Sequence, residues 1–192
     1  MNTVTHSLVA IACLSKPGET KRNAAVLLGS IIPDAWIFLF YGYNKLIVGH
    51  PSEHIWRTLY WQEPWTTLGA IFNSIPLYAL IALVGLIAPV TTIAVFGAAA
   101  LLHVALDFPV HAADAHAHFW PITMWRFQSP LSYWDPDHHG QIVSAVEAVV
   151  ALGLGAILWQ RFKSLAARLV LSGCVAAYLA VPIYFSLSLG QA

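Results

Sequence analysis

The chain of 192 residues is 58% hydrophobic and only 9% charged, with nine basic and nine acidic side chains and no formal net charge. A soluble domain carries roughly 25% charged residues, so this composition excludes an ordinary soluble fold and predicts a single integral-membrane domain over residues 1–192. The even charge excludes a nucleic-acid surface, and the nine histidines and eight tryptophans stand out instead.

The opening residues, Met1-Asn-Thr-Val-Thr-His6, lack the basic region of a cleavable leader, so the N-terminus is expected to be retained. Residues 5–14 are apolar but too short to span a bilayer, and residues 24–41 are interrupted by Pro33-Asp34. Both are predicted as short or kinked helices tucked into a bundle. Four stretches are long enough for about 30 Å of hydrocarbon: residues 69–88, 90–110, 141–160 and 165–189. Pro89 marks a tight turn between the first two. The predicted fold class is all-α: a polytopic membrane helix bundle with four clear spans plus two short or kinked N-terminal segments. Gly153 and Gly155 offer a close-packing spot between helices. Cys13 and Cys174 lie far apart in apolar stretches and read as buried thiols without a disulfide.

Basic residues set the expected orientation. Lys16, Lys21 and Arg22 precede the second segment, and Arg161, Lys163 and Arg168 lie between the last two. Placing both clusters in the cytoplasm lets every crossing alternate and sends residues 42–67 and 111–140 to the outer face. That face then collects nearly all the histidines, and every tryptophan except Trp159 lies in or near it. Residues 55–61 carry apolar side chains at helical spacing and are predicted to lie flat there. The expected location is a bacterial inner membrane with the histidine-rich side extracytoplasmic.

His103-x-x-x-Asp107-x-x-x-His111 is the sharpest motif. Charge at membrane depth costs about 2.5–3.5 kcal/mol on insertion scales and marks function by default. At 3.6 residues per turn the three side chains share one helical stripe, a divalent-metal ligand set. The alternative is a packing set in which histidines satisfy a buried aspartate. Pro109 is predicted to kink or end this helix near its outer end. In Gly29-Ser-Ile-Ile-Pro33-Asp34 the carboxylate is either presented to a site or is a helix cap. Asp114-Ala-His116-Ala-His118 alternates with period two, so an extended loop would aim all three one way. His50 and His54 would share a helix face beside Glu53. Glu147 is the only acid of its span.

The ordered motifs Thr5-His6, Gly29-x-x-x-Pro33-Asp34 and His103-x-x-x-Asp107-Phe-Pro-Val-His111 resemble the membrane-bound metal-dependent hydrolases and, more remotely, the zinc-dependent phospholipase C superfamily. The resemblance implies His6, Asp34, His103, Asp107 and His111 as metal ligands, with His54 as a further one. This chain departs from the pattern in two places. His50-Pro-Ser-Glu-His54 replaces a fuller H-R-G-x-T-H-S element, and no late H-x-x-x-E pair is present. With no leader to remove, ligation by a freed N-terminal amine is not expected.

The functional reading is a membrane-embedded metal-dependent hydrolase of a phosphoester or other ester of a lipid or small metabolite. It would act through a water activated by one or more divalent ions, Zn²⁺ first. Metal ligands are taken from His6, Asp34, His54, His103, Asp107, His111, His116 and His118. Glu147 or Asp114 would accept the proton, and Arg57 or Arg126 would bind phosphate. The partners are the lipid bilayer and a lipid or phosphoester substrate. The rivals are a di-iron membrane oxidase or desaturase and a non-enzymatic metal or proton transporter.

Overall fold

The computed structural model describes the backbone of residues 1–189 and the side chains of residues 1–180, and every regular element in it is helical. The order is α1 (Thr3–Leu14), α2 (Thr20–Gly42) running into a π-turn (Tyr43–Val48), α3 (Ser52–Arg57), a 3-10 turn (Leu59–Trp61), α4 (Trp65–Phe72), α5 (Ile75–Ile87), α6 (Thr91–Asp107), a 3-10 turn (Pro136–His138), α7 (Gly140–Arg161) and α8 (Leu165–Leu189).

Three helical stretches among the described residues are long and apolar enough to cross a membrane: Thr20–Val48, Trp65–Ile87 and Gly140–Arg161. This corrects the expectation of four clear spans. Residues 90–110 yield only α6, because prolines 89 and 109 bracket it. Its 17 residues rise about 26 Å, short of the hydrocarbon thickness. Helix α8 has described side chains only over Leu165–Ala180, and that stretch is shorter than a span. The second span is made of α4 and α5, interrupted where Ser74 caps the start of α5 through Leu77 N (3.2 Å).

The break expected at Pro33 is absent, and α2 runs through it. Proline in a helix interior removes one backbone bond and costs about 3 kcal/mol. Here α2 has buried partners on both sides of the proline: Val26 against Val95 and Ala99, and Trp36 and Phe40 against Ile55. Segment 55–61 packs on α2 through its apolar side chains. Ile55 is fully buried on α2, and Trp56, Leu59 and Tyr60 pack around it.

Short α1 sits at the centre, touching α2, α6, α7 and α8. Its last carbonyls accept from two guanidiniums, Arg22 Nε to Leu14 O and Arg161 Nη1 to Ala12 O, both at 2.7 Å. Positive charge at a helix C-terminus is favourable, and these bonds bring both basic clusters to one end of the molecule. Cys13 lies at this end and is exposed, not buried as expected; neither it nor Cys174 is in a disulfide.

Close helix contact falls at glycines other than those expected. Gly153 has nothing within 4 Å of an added Cβ, and Gly155 meets only Val175 at 3.9 Å. A Cβ on Gly29 would instead lie 2.3 Å from the Phe96 carbonyl oxygen, and one on Gly85 would lie 2.2 Å from Ala94 N. Gly29→Ala is therefore expected to push α2 from α6 and destabilise by about 1–3 kcal/mol, the usual range for overpacking. Thermal unfolding in detergent should show a lowered midpoint, whereas Gly153→Ala should not lower it.

Candidate metal centre

Short-range chemistry fixes each side chain that meets at the C-terminal end of α6. Asn2 caps α1 through Val4 N (3.0 Å), and Glu147 Oε1 accepts from Asn2 N (2.8 Å) and the Thr5 hydroxyl (2.7 Å). A carboxylate at a helix start satisfies free N–H groups and complements the dipole. The first turns of α1 then present Thr3 to Asp34, His6 to Asp107 and Ser7 to Ser30. On α2, Ser30 and Asp34 stand four residues apart on one face toward α6. The Ser30 carbonyl accepts from His103 Nδ1 at 2.7 Å, and Asp34 Oδ1 lies 3.5 Å from His103 Nε2.

His103 and Asp107 share the expected helical face, with Nε2 and Oδ2 3.1 Å apart. His111 does not share it, because α6 stops at Asp107. Pro109 has no N–H to offer the carbonyl of Ala105, and α6 ends ahead of it. His111 reaches the site from the following loop, its Nε2 3.3 Å from Asp107 Oδ1. The loop is held by a returning segment: Ser129 Oγ donates to Pro109 O, Tyr133 N to Val110 O (3.1 Å) and Ser129 N to His111 O (2.9 Å). The amino nitrogen of Met1, for which no role was expected, lies 2.7 Å from Asp107 Oδ1 and 3.4 Å from His111 Nε2.

Three carriers of donor atoms, His6, His103 and Asp107, are buried with ligand atoms within 4.8 Å of one another, and this group could hold a metal ion. The His6 and His103 rings stack at 3.6 Å. The donor chemistry suits a cation. A carbonyl can only accept, so the bond to Ser30 makes His103 Nδ1 the donor and leaves the Nε2 lone pair facing the cluster. That nitrogen is buried without an aligned hydrogen-bond partner. A histidine whose second nitrogen is tied to a carbonyl or carboxylate is typical of metal ligation, and His111, with Nδ1 on Asp114 Oδ2 at 3.0 Å, repeats it. The Asp34 and Asp107 carboxylates together bring negative charge that a divalent ion would balance.

The other predicted residues divide. Asp114 Oδ2 also accepts from Trp134 Nε1 (2.8 Å), while its buried Oδ1 has no partner. Burial pushes the Asp114 carboxyl up, but the bonds from His111 and Trp134 outweigh it and hold it at about 2. Burial pushes His111 down, yet Asp107 and Asp114 raise it to about 9. His116 lies beside His111, ring centroids 5.4 Å apart, and burial with its two histidine neighbours lowers it to about 3. His118 is buried, with Nδ1 on Asn73 O at 3.1 Å and Nε2 unpartnered. Asp114, His116 and His118 therefore have different partners instead of one common direction. His54 is exposed, its ring against His50 at 5.1 Å. Arg57 is exposed and paired with Glu53 at 3.4 Å. Neither joins the cluster, because α3 packs through Ile55 and turns both outward. Sequence reasoning missed Thr3, Ser30 and Trp134. Thr3 and Ser30 were within reach, since each stands three or four residues from a named ligand on the same helix.

No family model, curated protein or solved structure matches the chain, so the functional reading rests on these residues.

Glu147 makes a separable contribution to this arrangement. Glu147→Ala strands the Asn2 N–H and the Thr5 hydroxyl, and loss of a buried partner costs about 1–3 kcal/mol. Thermal unfolding should register that loss, and Glu147→Gln, which keeps an oxygen acceptor, should recover most of it.

Proposed function

We propose that the protein is a membrane-embedded metal-dependent hydrolase acting on an ester, a phosphoester of a lipid or small metabolite first. The observation that carries this reading is the meeting of His6, Asp34, His103, Asp107 and His111, from three helices and a loop, around one buried carboxylate. Zn²⁺, the first choice for imidazole and carboxylate donors, would supply Lewis acidity toward the reacting oxygen and lower the pKa of a bound water. His6, His103 and Asp107 would hold it, with Asp34 and His111 completing the set.

The remaining residues take supporting roles. Asp114 orients His111 and keeps its Oδ1 available to hold a proton. Glu147, with Oε1 engaged twice at the start of α1, positions His6. Both basic clusters gather at the far end of the bundle, which supports an extracytoplasmic site in a bacterial inner membrane. A relay across the bilayer is disfavoured, because Ala10, Val26, Val95 and Ala99 form a buried apolar layer on the basic side of the site.

Elemental analysis of the detergent-purified protein is expected to find about one equivalent or more of a divalent metal, most of it lost in His103→Ala and Asp107→Ala. Equal and negligible metal in all three proteins overturns the reading. With metal present, a screen of phosphomonoesters and phosphodiesters should find activity that the same variants lack. Iron with oxygen consumption would point to the oxidase instead.

A further inference from the structure

A cleft opens beside the metal centre, lined by Trp36, Tyr60, Thr66, Gly69, His116 and Arg126 among others. His116 joins the two, since its ring also neighbours that of His111. Arg126 lies on a segment without regular secondary structure, next to a packed aromatic side chain. Phe127 stacks on Phe108, the residue after Asp107, at 4.8 Å and 11°, and Trp125 packs on Phe119 at 6.0 Å. The packing of Phe127 on Phe108 holds this segment against the end of α6, and Arg126 lines the cleft.

Arg126 is half-buried and has no hydrogen bond or ion pair among the described residues. Of the nearby carboxylates, Glu63 accepts from Thr66, and Asp114 Oδ2 accepts from His111 and Trp134 while its Oδ1 has no partner. A guanidinium with no protein partner keeps its donors free, and its planar fork matches the oxygens of a phosphate. The Trp36 and Tyr60 rings wall the same narrow cleft. Arg57, the other arginine expected to bind phosphate, has neither a cleft nor a free fork.

We propose that the Arg126 cleft is a phosphate-binding subsite that holds the anionic group of the substrate beside the metal centre. Its role in catalysis rests on the hydrolase reading, but its existence as an anion site does not. The phosphate could belong to a lipid headgroup or to a soluble molecule, and the two are separable by experiment.

Full-length protein in a neutral detergent with a chelator present is titrated with inorganic phosphate, and separately with phosphatidic acid in mixed micelles. Binding is followed by ³¹P line broadening. Arg126→Gln is expected to weaken binding about ten- to a hundredfold, as for loss of charge-assisted bonds, and Arg126→Lys to weaken it less. His103→Ala and Lys163→Gln, the latter at the basic end, are expected to bind as wild type does. Saturation by phosphatidic acid but not by inorganic phosphate assigns the site to a lipid headgroup, and saturation by both assigns it to phosphate itself. If Arg126→Gln binds as wild type does while retaining wild-type metal content, or if wild type binds neither probe, the subsite is overturned. Loss in His103→Ala equal to that in Arg126→Gln also overturns it, since the phosphate would then belong to the metal centre. Absence of metal from wild type with Arg126-dependent binding intact would sink the hydrolase reading alone.

Discussion

The structure depends on one buried carboxylate. Asp107 is 1% exposed, at the end of a helix in an apolar bundle, where ionised groups cost several kcal/mol unless partnered. Its oxygens lie within 3.3 Å of His6, His103 and His111, which come from α1, α6 and the loop after α6. Satisfying it requires α1 to enter the bundle at a set depth and the chain after α6 to fold back. Helix α7 enforces the first requirement by gripping α1 at both ends, Glu147 on the starting turn and Arg161 on the final carbonyls. Ser129 and Tyr133 enforce the second by pairing with residues 109–111.

The same requirement explains where the helices approach most closely. His103 can place Nδ1 on the Ser30 carbonyl only if α2 and α6 nearly touch, and Gly29, the residue before Ser30, leaves no side chain between them. In a bilayer, helices associate through packing and polar contacts more than through hydrophobic burial. Many large apolar side chains, such as Leu28, Leu80 and Val149, accordingly face outward, while small and polar residues share the interior with Trp36, Phe40 and Ile55.

Much of this was legible in the chain. The four-residue spacing of His103 and Asp107 identified a shared face, and the basic clusters identified the opposite end. Pro109 raised the possibility of a helix end, yet the period still placed His111 on the stripe. What brings His111 back is a loop closed by Ser129 and Tyr133, about twenty residues away in sequence, and no local pattern encodes that. Pro33 misled in the other direction. Its intrinsic penalty is local, whereas the packing of Val26, Trp36 and Phe40 that carries α2 through it is tertiary. His54 failed to join for a similar reason: Ile55, one position on, is the residue α2 buries, and that choice turns His54 outward.

The asymmetry of the bundle bears on what kind of chemistry it can perform. Polar groups crowd one end, from Met1 and Asp34 to His118, while the layer beneath is Ala10, Val26, Val95 and Ala99. A transporter needs alternative polar partners on the way across, because an ion leaving one set of ligands must find another before it meets hydrocarbon. Moving an ion from His103 toward Arg161 would meet apolar side chains and then a cluster of like charge. A reaction centre needs no such continuation. It needs donors fixed by neighbours that cannot shift, as the Ser30 carbonyl and the Asp114 carboxylate fix His103 and His111, and an opening on one side only. The cleft lined by His116 and Arg126 lies on that side of the cluster, with the His116 ring against that of His111.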